Sequence, residues 1–511
     1  MSADRSLRLR ADAALNVGYE DRTPFGSPHG HGPELSVRHA FALLVDALEA
    51  GHEPLTATAD AAGLLHRLAQ QPAFGALCTP HPDGWQVRPE VLYPDPARNR
   101  PGLLTVARPD TDHVVRARLP RAFWPDAHDL IASLACDALH PDQRRRLRPE
   151  LQEFVALMER EQLLEPAEAA DASRRGGPNA DFVFVGHNTV AVRSATTVAL
   201  VDPLLVARSI HNPPGYQPLQ LRELGPPDVV AITHAHPDHF DPASLLRMPR
   251  STTLVVPWIE RESLLSVDLA RRARELGFED VRALRWGECC TVGDLRITAY
   301  PFYGEQPTDS QWLHQEIRNQ GCTYRIDTPS TSAVFLADSG RDHLGDARQM
   351  ALQARRADGP VDVVFGGYRG WLTYPVQLLA SSVARYFLFV PPDLWQCRMT
   401  MMATPDMALD IAERWGAKVL VPYADGGAPW YSRLGLGPSY EDPASEVPGF
   451  DLFPERVLDA SRQRSAIGPG TAIGSPVSVI VLRPGQGLRC SEQTEVVEVV
   501  EVDEHRWPTL R

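Results

Sequence analysis

The chain has 511 residues, a formal net charge of −14 and no long uninterrupted apolar segment. This length exceeds what one hydrophobic core supports, so we expect two domains. The negative charge argues against nucleic acid as a partner, because phosphate contacts need a concentrated basic surface. The charged, polar first residues predict neither a secretory signal nor a membrane segment, and we expect a cytoplasmic protein. The seven cysteines include no CxxC pair, which favours reduced thiols over a disulfide framework.

The first third of the chain predicts an α+β domain, which we place at residues 1–175, with the second domain at 180–511. Nothing in this first region has catalytic spacing. The predicted elements are two helices with apolar residues at helical spacing, short strands broken by prolines, two further helices and a linker, at residues 35–48, 59–68, 84–120, 127–138, 141–163 and 174–179.

A basic cluster lies in the last predicted helix of this region. Four arginines fall between Arg144 and Arg148. Two interpretations stay open: the cluster is a docking patch for an acidic partner protein, or it is a solvated helix face paired with Asp142 and Glu150.

The segment most informative about function follows a predicted buried strand at residues 229–232. Three histidines and an aspartate come next, in the order His234, His236, Asp238 and His239. Two histidines at i and i+2 can reach one metal ion, and the following carboxylate and imidazole are placed for a second ion. Imidazole and carboxylate together suit zinc, iron or manganese. The sequence therefore predicts a metalloprotein with two adjacent metal positions.

The HxHxDH string resembles the signature of the metallo-β-lactamase fold, an αββα sandwich of the α/β class. The flanking sequence is similar to that family over roughly residues 180–485. The resemblance implies that Asp338, in Asp338-Ser339-Gly340, bridges two metals. The supporting segments are two predicted paired strands, a strand with an Asp-Pro turn, and a predicted hairpin before Asp338, at residues 181–188, 189–192, 198–203 and 323–336.

Two positions depart from the hydrolases of that fold. Those enzymes supply one histidine before the bridging aspartate and another near the end of the domain, whereas Glu305 and Asp425 stand at these places here. Carboxylates in place of imidazoles favour iron or manganese over zinc. Alternatives stay open at both positions: Glu305 is an exposed loop carboxylate and His314 the true ligand, or Asp425 belongs to an ordinary Asp-Gly-Gly turn. His187 is either a side chain that orients a ligand carboxylate or a plain strand-end histidine.

This ligand pattern resembles the dinuclear iron β-hydroxylases of nonribosomal peptide assembly, of the chloramphenicol-pathway type. Their metal set is HxHxDH, then a glutamate, then a bridging aspartate. The resemblance implies that His234, His236 and Glu305 hold one of two iron ions and that Asp338 bridges to the other, held by Asp238 and His239. Glu305 is the candidate catalytic residue, and Asp425 is a further candidate ligand.

The same resemblance implies an oxygen-dependent monooxygenase that hydroxylates the β-carbon of an aminoacyl group. The group would be tethered to a carrier (thiolation) domain of a nonribosomal peptide synthetase. Dioxygen would be the co-substrate, a reductase or other external donor would supply electrons, and the N-terminal domain would serve dimerisation and lid-building in a homodimer. The main rival is a binuclear metallo-hydrolase of the same fold, such as a lactonase or phosphodiesterase, which would use the same loop without redox change.

Overall fold

The computed structural model describes most of the chain. The predicted helices at 35–48 and 59–68 and the predicted linker at 174–179 lie outside the described residues. No helix within the described parts combines the length and apolar character needed to cross a membrane. The described residues are 5–19, 70, 72–81, 84–93, 102–109, 111–167, 180–208, 218–306, 318–368, 372–373, 384–394, 399–400, 402–424, 454–467, 477–490 and 497–501.

The N-terminal region contains small antiparallel sheets flanked by helices, as the sequence predicts. Strands β2, β5 and β6 form a three-stranded sheet, β3 pairs with β4, and β1 pairs with β7. The strands are β1 Leu7–Leu9, β2 Ala14–Tyr19, β3 Cys78–His81, β4 Gly84–Val87, β5 Gly102–Ala107, β6 Val114–Leu119 and β7 Leu164–Pro166. The helices are α1 Pro72–Leu77, α2 Pro89–Leu92, α3 Trp124–Cys136, α4 Pro141–Arg146 and α5 Pro149–Arg160.

The single helix predicted at 141–163 is wrong, because the structure divides it into α4 and α5. Leu147 and Arg148 are extended, with ψ angles of 154° and 150°. Arg148 precedes Pro149, and the proline ring disfavours the helical conformation in the residue before it. Proline is tolerated in the first helical turn, so α5 restarts at Pro149 itself.

The basic cluster matches the solvated helix face more closely than a free positive patch. Arg144 pairs with Glu159 at 2.5 Å, and Arg145 pairs with Asp142. Arg148 pairs with Asp126, so carboxylates other than the expected Glu150 supply part of the compensation. Surface pairs of this kind contribute little stability.

The remainder of the chain forms two stacked sheets. The first has eight strands in the order β13-β12-β11-β10-β9-β8-β25-β26, and the second has seven in the order β14-β15-β16-β17-β20-β23-β24. Two further pairs of two-residue strands, β18 with β19 and β21 with β22, are antiparallel. The strands are β8 Phe182–Gly186, β9 Thr189–Arg193, β10 Val198–Val201, β11 Val229–Ala231, β12 Thr253–Pro257, β13 Val281–Leu284, β14 Cys289–Val292, β15 Leu295–Pro301, β16 Cys322–Asp327, β17 Ser332–Phe335, β18 Arg341–Asp342, β19 Gly345–Asp346, β20 Val363–Gly367, β21 Leu372–Thr373, β22 Met399–Thr400, β23 Val419–Tyr423, β24 Ser478–Val479, β25 Gln486–Cys490 and β26 Val497–Glu501.

The central strands are buried on both faces because each sheet is covered on both sides. In β8, Phe182 and Phe184 pack into the core between the sheets, whereas Val183 and Val185 belong to the core on the outer face. Fully covered sheets produce such continuous apolar runs. Helices cover the two outer faces, which confirms the predicted αββα sandwich. They are α6 Leu221–Leu224, α7 Pro242–Leu245, α8 Leu269–Leu276, α9 Ala347–Asp358, α10 Pro405–Trp415 and α11 Glu455–Ile467.

The N-terminal region packs directly on the outer face of the eight-stranded sheet. Many of its buried apolar residues belong to one cluster with buried apolar residues of α7 and α8. His128 of α3 is fully buried at this contact. Its ring nitrogens lie 2.8 Å from the carbonyl oxygen of Met248 and 2.9 Å from that of Leu276. The exact division into domains at residues 175–180 stays a prediction.

The parallel strands of both sheets end at one edge of the sandwich. β8 and β10 both run antiparallel to β9 and therefore parallel to each other, and β10, β11 and β12 are parallel. In the other sheet, β15 and β17 both oppose β16, and β17, β20 and β23 are parallel. The carboxyl ends of these strands meet at the same edge, where polar residues of several loops can converge.

Candidate metal centre

Four of the predicted ligands lie together at this edge. His234, His236, Glu305 and Asp338 are all buried, and one ligand atom of each lies within 4.8 Å of all the others. The Nδ1 atom of His236 is 3.0 Å from Nε2 of His234 and 3.0 Å from a carboxylate oxygen of Glu305. These atoms therefore point at a common position, as ligands of one metal ion would.

The other two residues of the HxHxDH string lie on the far side of Asp338. Nε2 of His239 is 3.4 Å from Oδ2 of Asp338 and 3.6 Å from Oδ2 of Asp238. The same Asp338 oxygen is 3.6 Å from Nε2 of His234. Asp338 thus lies between two groups of potential ligands, which is the arrangement that a bridging carboxylate requires.

The residues present fit a pair of metal ions. Nε2 of His239 is buried and has no hydrogen-bond partner, although Asp238 and Asp338 lie near it. A buried nitrogen without a partner carries a free-energy cost that a metal bond would remove. Imidazole and carboxylate donors in this ratio suit iron, manganese or zinc. His234, His236 and Glu305 would hold one ion, and Asp238 and His239 the other.

Of the positions that the sequence left open, the structure describes Glu305 but not His314 or Asp425. Glu305 has a relative exposure of only 6%, so the interpretation of it as an exposed loop carboxylate is wrong. Its proposed substitute, His314, lies outside the described residues, and so does Asp425. Whether Asp425 is a ligand therefore stays a prediction.

Burial sets the protonation of the histidines. It lowers the pKa of His234 well below its ordinary value and the pKa of His236 to about 4, which leaves both rings neutral at physiological pH. Burial also opposes a charge on His239, but Asp338, Asp238 and Asp202 outweigh it and raise the pKa of His239 well above its usual range. The carboxylates therefore favour a positive charge here, which a bound cation would supply.

Asp202 holds His239 from behind and was noticed in the sequence only as part of an Asp-Pro turn. Its fully buried carboxylate accepts hydrogen bonds from Nδ1 of His239 at 2.8 Å and from the backbone N–H and hydroxyl of Thr233 at 2.7 and 2.6 Å. Burial raises the pKa of the Asp202 carboxyl, while His239 and Thr233 act in the opposite direction. An acceptor on Nδ1 fixes the ring so that Nε2 faces the metal position.

We expect Asp202→Asn to weaken metal binding at the His239 position by roughly 10- to 100-fold, because the ring loses its strongest acceptor. Metal titration of the purified variant measures this. Asp362→Asn is the matched control, because Asp362 accepts hydrogen bonds from Ser332 ahead of β20, at the opposite edge of the sheet. Equal metal affinity in both variants would contradict the role given to Asp202.

His187 takes the orienting position that the sequence left open. Its fully buried ring places Nε2 3.0 Å from Oδ2 of Asp238. The neighbouring Asn188 donates from Nδ2 to the backbone oxygen of Asp238 at 2.6 Å. The His187 contact fixes the rotation of the Asp238 carboxylate, and the Asn188 contact holds the backbone that carries it, which is how residues behind a metal ligand tune its geometry.

Tyr386 lies on the opposite side of His236 and was not found from the sequence. It belongs to a short 3-10 helix, Ala384–Phe389, and its fully buried hydroxyl is 2.7 Å from Nε2 of His236. Since Nδ1 of His236 faces Glu305 and His234, this contact fixes the second nitrogen of the same ring. No local motif marks Tyr386, because it contacts a residue 150 positions away.

Unusual backbone geometry clusters at this edge. Six non-glycine residues in the described ranges have a positive φ, and five of them directly follow or flank the converging strands. Such conformations cost of order 1–3 kcal/mol each and occur preferentially at functional sites. The five residues, with φ angles between 42° and 65°, are His187, Asp202, Glu305, Ala337 and Ala424.

Comparison with known proteins agrees with this architecture. Residues 197–423 match the family described as the β-lactamase superfamily domain. This segment contains six of the seven candidate ligands predicted from the sequence, all except Asp425.

The whole chain is also similar in fold to CmlA, a diiron β-hydroxylase from Streptomyces venezuelae, with a TM-score of 0.63 and 15% sequence identity over 98% of this chain and 100% of that one. A mutant of the CmlA β-hydroxylase matches with a TM-score of 0.55 and 18% identity, over 89% of this chain and 97% of that one. The predicted resemblance is thereby confirmed at the level of the fold, and the chain has the metallo-β-lactamase fold over the matched segment.

Proposed function

We propose that the protein is a dinuclear non-haem iron monooxygenase that hydroxylates the β-carbon of a carrier-tethered aminoacyl group. The observation that carries the proposal is the buried carboxylate of Glu305, 3.0 Å from His236 within the ligand cluster. A cluster in which carboxylates replace imidazoles favours iron over zinc. The similarity in fold to a diiron β-hydroxylase extends over 98% of the chain and supports the same assignment.

Bound iron would supply the redox chemistry that activates dioxygen toward a C–H bond. The protein's own contribution is to fix the ligands and exclude water. The ring of Phe302 lies 5.0 Å from that of His234, and both side chains are fully buried. Tyr386 closes the side beyond His236. A dry, rigid site of this kind holds the reacting carbon in position and limits side reactions.

The partners are proposed with the function. They are an aminoacyl thiolation domain of a nonribosomal peptide synthetase, a reductase that supplies electrons, and a second copy of the chain in a homodimer. A cytoplasmic location fits these partners. The paired arginines of the cluster at 144–148 offer little free positive charge to an acidic carrier, which makes that cluster a poor candidate for the docking surface.

We expect about two iron ions per chain when the protein is produced with iron, because the mixed histidine and carboxylate donors favour that metal. Elemental analysis and the absorption of an oxygen-bridged ferric pair measure this. Manganese- and zinc-supplemented preparations are the comparison.

A fully active protein with stoichiometric zinc, no iron and turnover under anaerobic conditions would contradict the proposal. That outcome would instead support the binuclear hydrolase, whose metal-bound hydroxide attacks an ester without redox change.

A further inference from the structure

The loop that carries Glu305 has a backbone that needs external support. Gly304 and Glu305 have φ angles of 104° and 54°, both in the left-handed region. For the non-glycine residue this conformation persists only where surrounding contacts enforce it. The ligand position of Glu305 therefore depends on whatever holds the loop.

Gln306 supplies one set of these contacts. Its side-chain Nε2 donates to the carbonyl oxygens of Gly304 at 2.8 Å and Asn319 at 3.0 Å. Its Oε1 accepts from the backbone N–H of Asn319 at 3.0 Å. Gln306 thus joins the loop to the segment leading into β16, and it is itself 4% exposed.

A buried ion pair supplies the second set. The side chains of Arg318 and Asp342 are 3% and 0% exposed, and Arg318 donates to Oδ2 of Asp342. The same Oδ2 accepts from the backbone N–H of Gly304 at 3.0 Å, and Arg318 also reaches the carbonyl oxygen of Phe302 at 3.3 Å. The pair therefore contacts the backbone on the amino-terminal side of Glu305.

A contribution to the stability of the fold does not explain this ion pair well. Burying two charges costs about as much as their attraction returns, and apolar replacements are often neutral or stabilising. Asp342 instead accepts from Arg318, Gly304, Leu344 and Gly345, so its carboxylate joins the Glu305 loop to the hairpin that follows Asp338.

We propose that Arg318, Asp342 and Gln306 form a buried clamp that positions Glu305 in the metal centre. They are positioning residues, since they act through the Glu305 loop and are not ligands. The inference rests on the proposed assignment of Glu305 as a ligand. It predicts that loosening the clamp weakens one metal position and spares the other, which Asp238 and His239 form.

The test is metal titration of Arg318→Met and Gln306→Ala, with Fe(II) and separately with Zn(II). Affinity for one metal equivalent should fall roughly 10- to 100-fold while the other equivalent is retained. Arg272→Met is the matched control, because Arg272 is 4% exposed, pairs with Glu262 at 2.6 Å and lies in α8. Circular dichroism and thermal unfolding report whether each variant folds.

A double-mutant cycle distinguishes a positioning role of Gln306 from a general contribution to protein stability. In a Glu305→Ala background, Gln306→Ala should add no further loss of metal affinity, since the residue it supports is absent. If folded Gln306→Ala binds both metal equivalents with wild-type affinity, the proposed clamp is wrong. It is also wrong if Arg272→Met loses as much metal affinity as the clamp variants. If Arg318→Met does not fold, Gln306→Ala alone decides. Because both metals are used, a protein that prefers zinc would contradict the proposed function without affecting this result.

Discussion

Replacing Glu305 by alanine is expected to remove one of the two proposed metal ions per chain and to abolish the proposed hydroxylation. Glu305 is 6% exposed and 3.0 Å from His236, so alanine would leave this buried position without its carboxylate donor. Loss of a direct ligand should weaken metal affinity at that position by at least about 100-fold. Elemental analysis after desalting, with circular dichroism to check the fold, measures the effect.

Two control variants sharpen this experiment. Glu305→Gln preserves shape but removes the charge, so it should fold and still lose metal. His314→Ala removes the alternative ligand and should leave the metal content unchanged. If Glu305→Ala keeps both metals while His314→Ala loses one, the ligand assignment is wrong and a hydrolase-like site gains support.

The αββα sandwich was expected from the resemblance of the HxHxDH string to a known fold, and several of its strands were predictable because they are apolar runs bounded by turn residues. The predicted strand and hairpin segments at 181–188, 189–192 and 323–336 correspond to β8, β9, β16 and β17. The continuous helix predicted at 141–163 missed the break at Leu147 and Arg148. Pro149 accounts for this break, because a proline ring disfavours the helical conformation in the residue before it.

The cluster of candidate ligands was predictable for a different reason. His234, His236, Asp238 and His239 are adjacent in sequence, so their shared chemistry is visible without a structure. The residues behind them are distant along the chain. Asp202 is 37 positions from His239, and nothing local indicates that its carboxylate accepts from that ring.

The contacts that hold the Glu305 loop could not be predicted from the sequence either. Arg318 and Asp342 are 24 positions apart and belong to no motif, yet strand pairing brings them to the loop after β15. Orienting residues of this kind are set by topology, because any chain segment that reaches the edge can supply them. Sequence alone therefore identifies the candidate metal ligands more readily than the contacts that fix their geometry.

The form in which the substrate arrives should also have a large effect on the rate of turnover. His234 and His239 are fully buried, and His236, Glu305 and Asp338 are at most 6% exposed. A free amino acid would have to give up hydration of both its charged ends to reach such a site, which is costly. A thioester on a flexible arm has already lost the carboxylate charge, and docking of its carrier raises the local concentration of the substrate.

We therefore expect rapid turnover of an aminoacyl-carrier thioester with dioxygen and a reductant, and turnover of the free amino acid that is slower by roughly 100-fold or more. The carrier-bound product should be heavier by about sixteen mass units, one oxygen atom. Mass spectrometry of the intact carrier measures this, with the free amino acid assayed under the same reducing conditions and Glu305→Ala as the inactive control. Equal or faster oxidation of the free amino acid would remove carrier dependence while leaving the iron assignment in place, because metal content is measured without substrate.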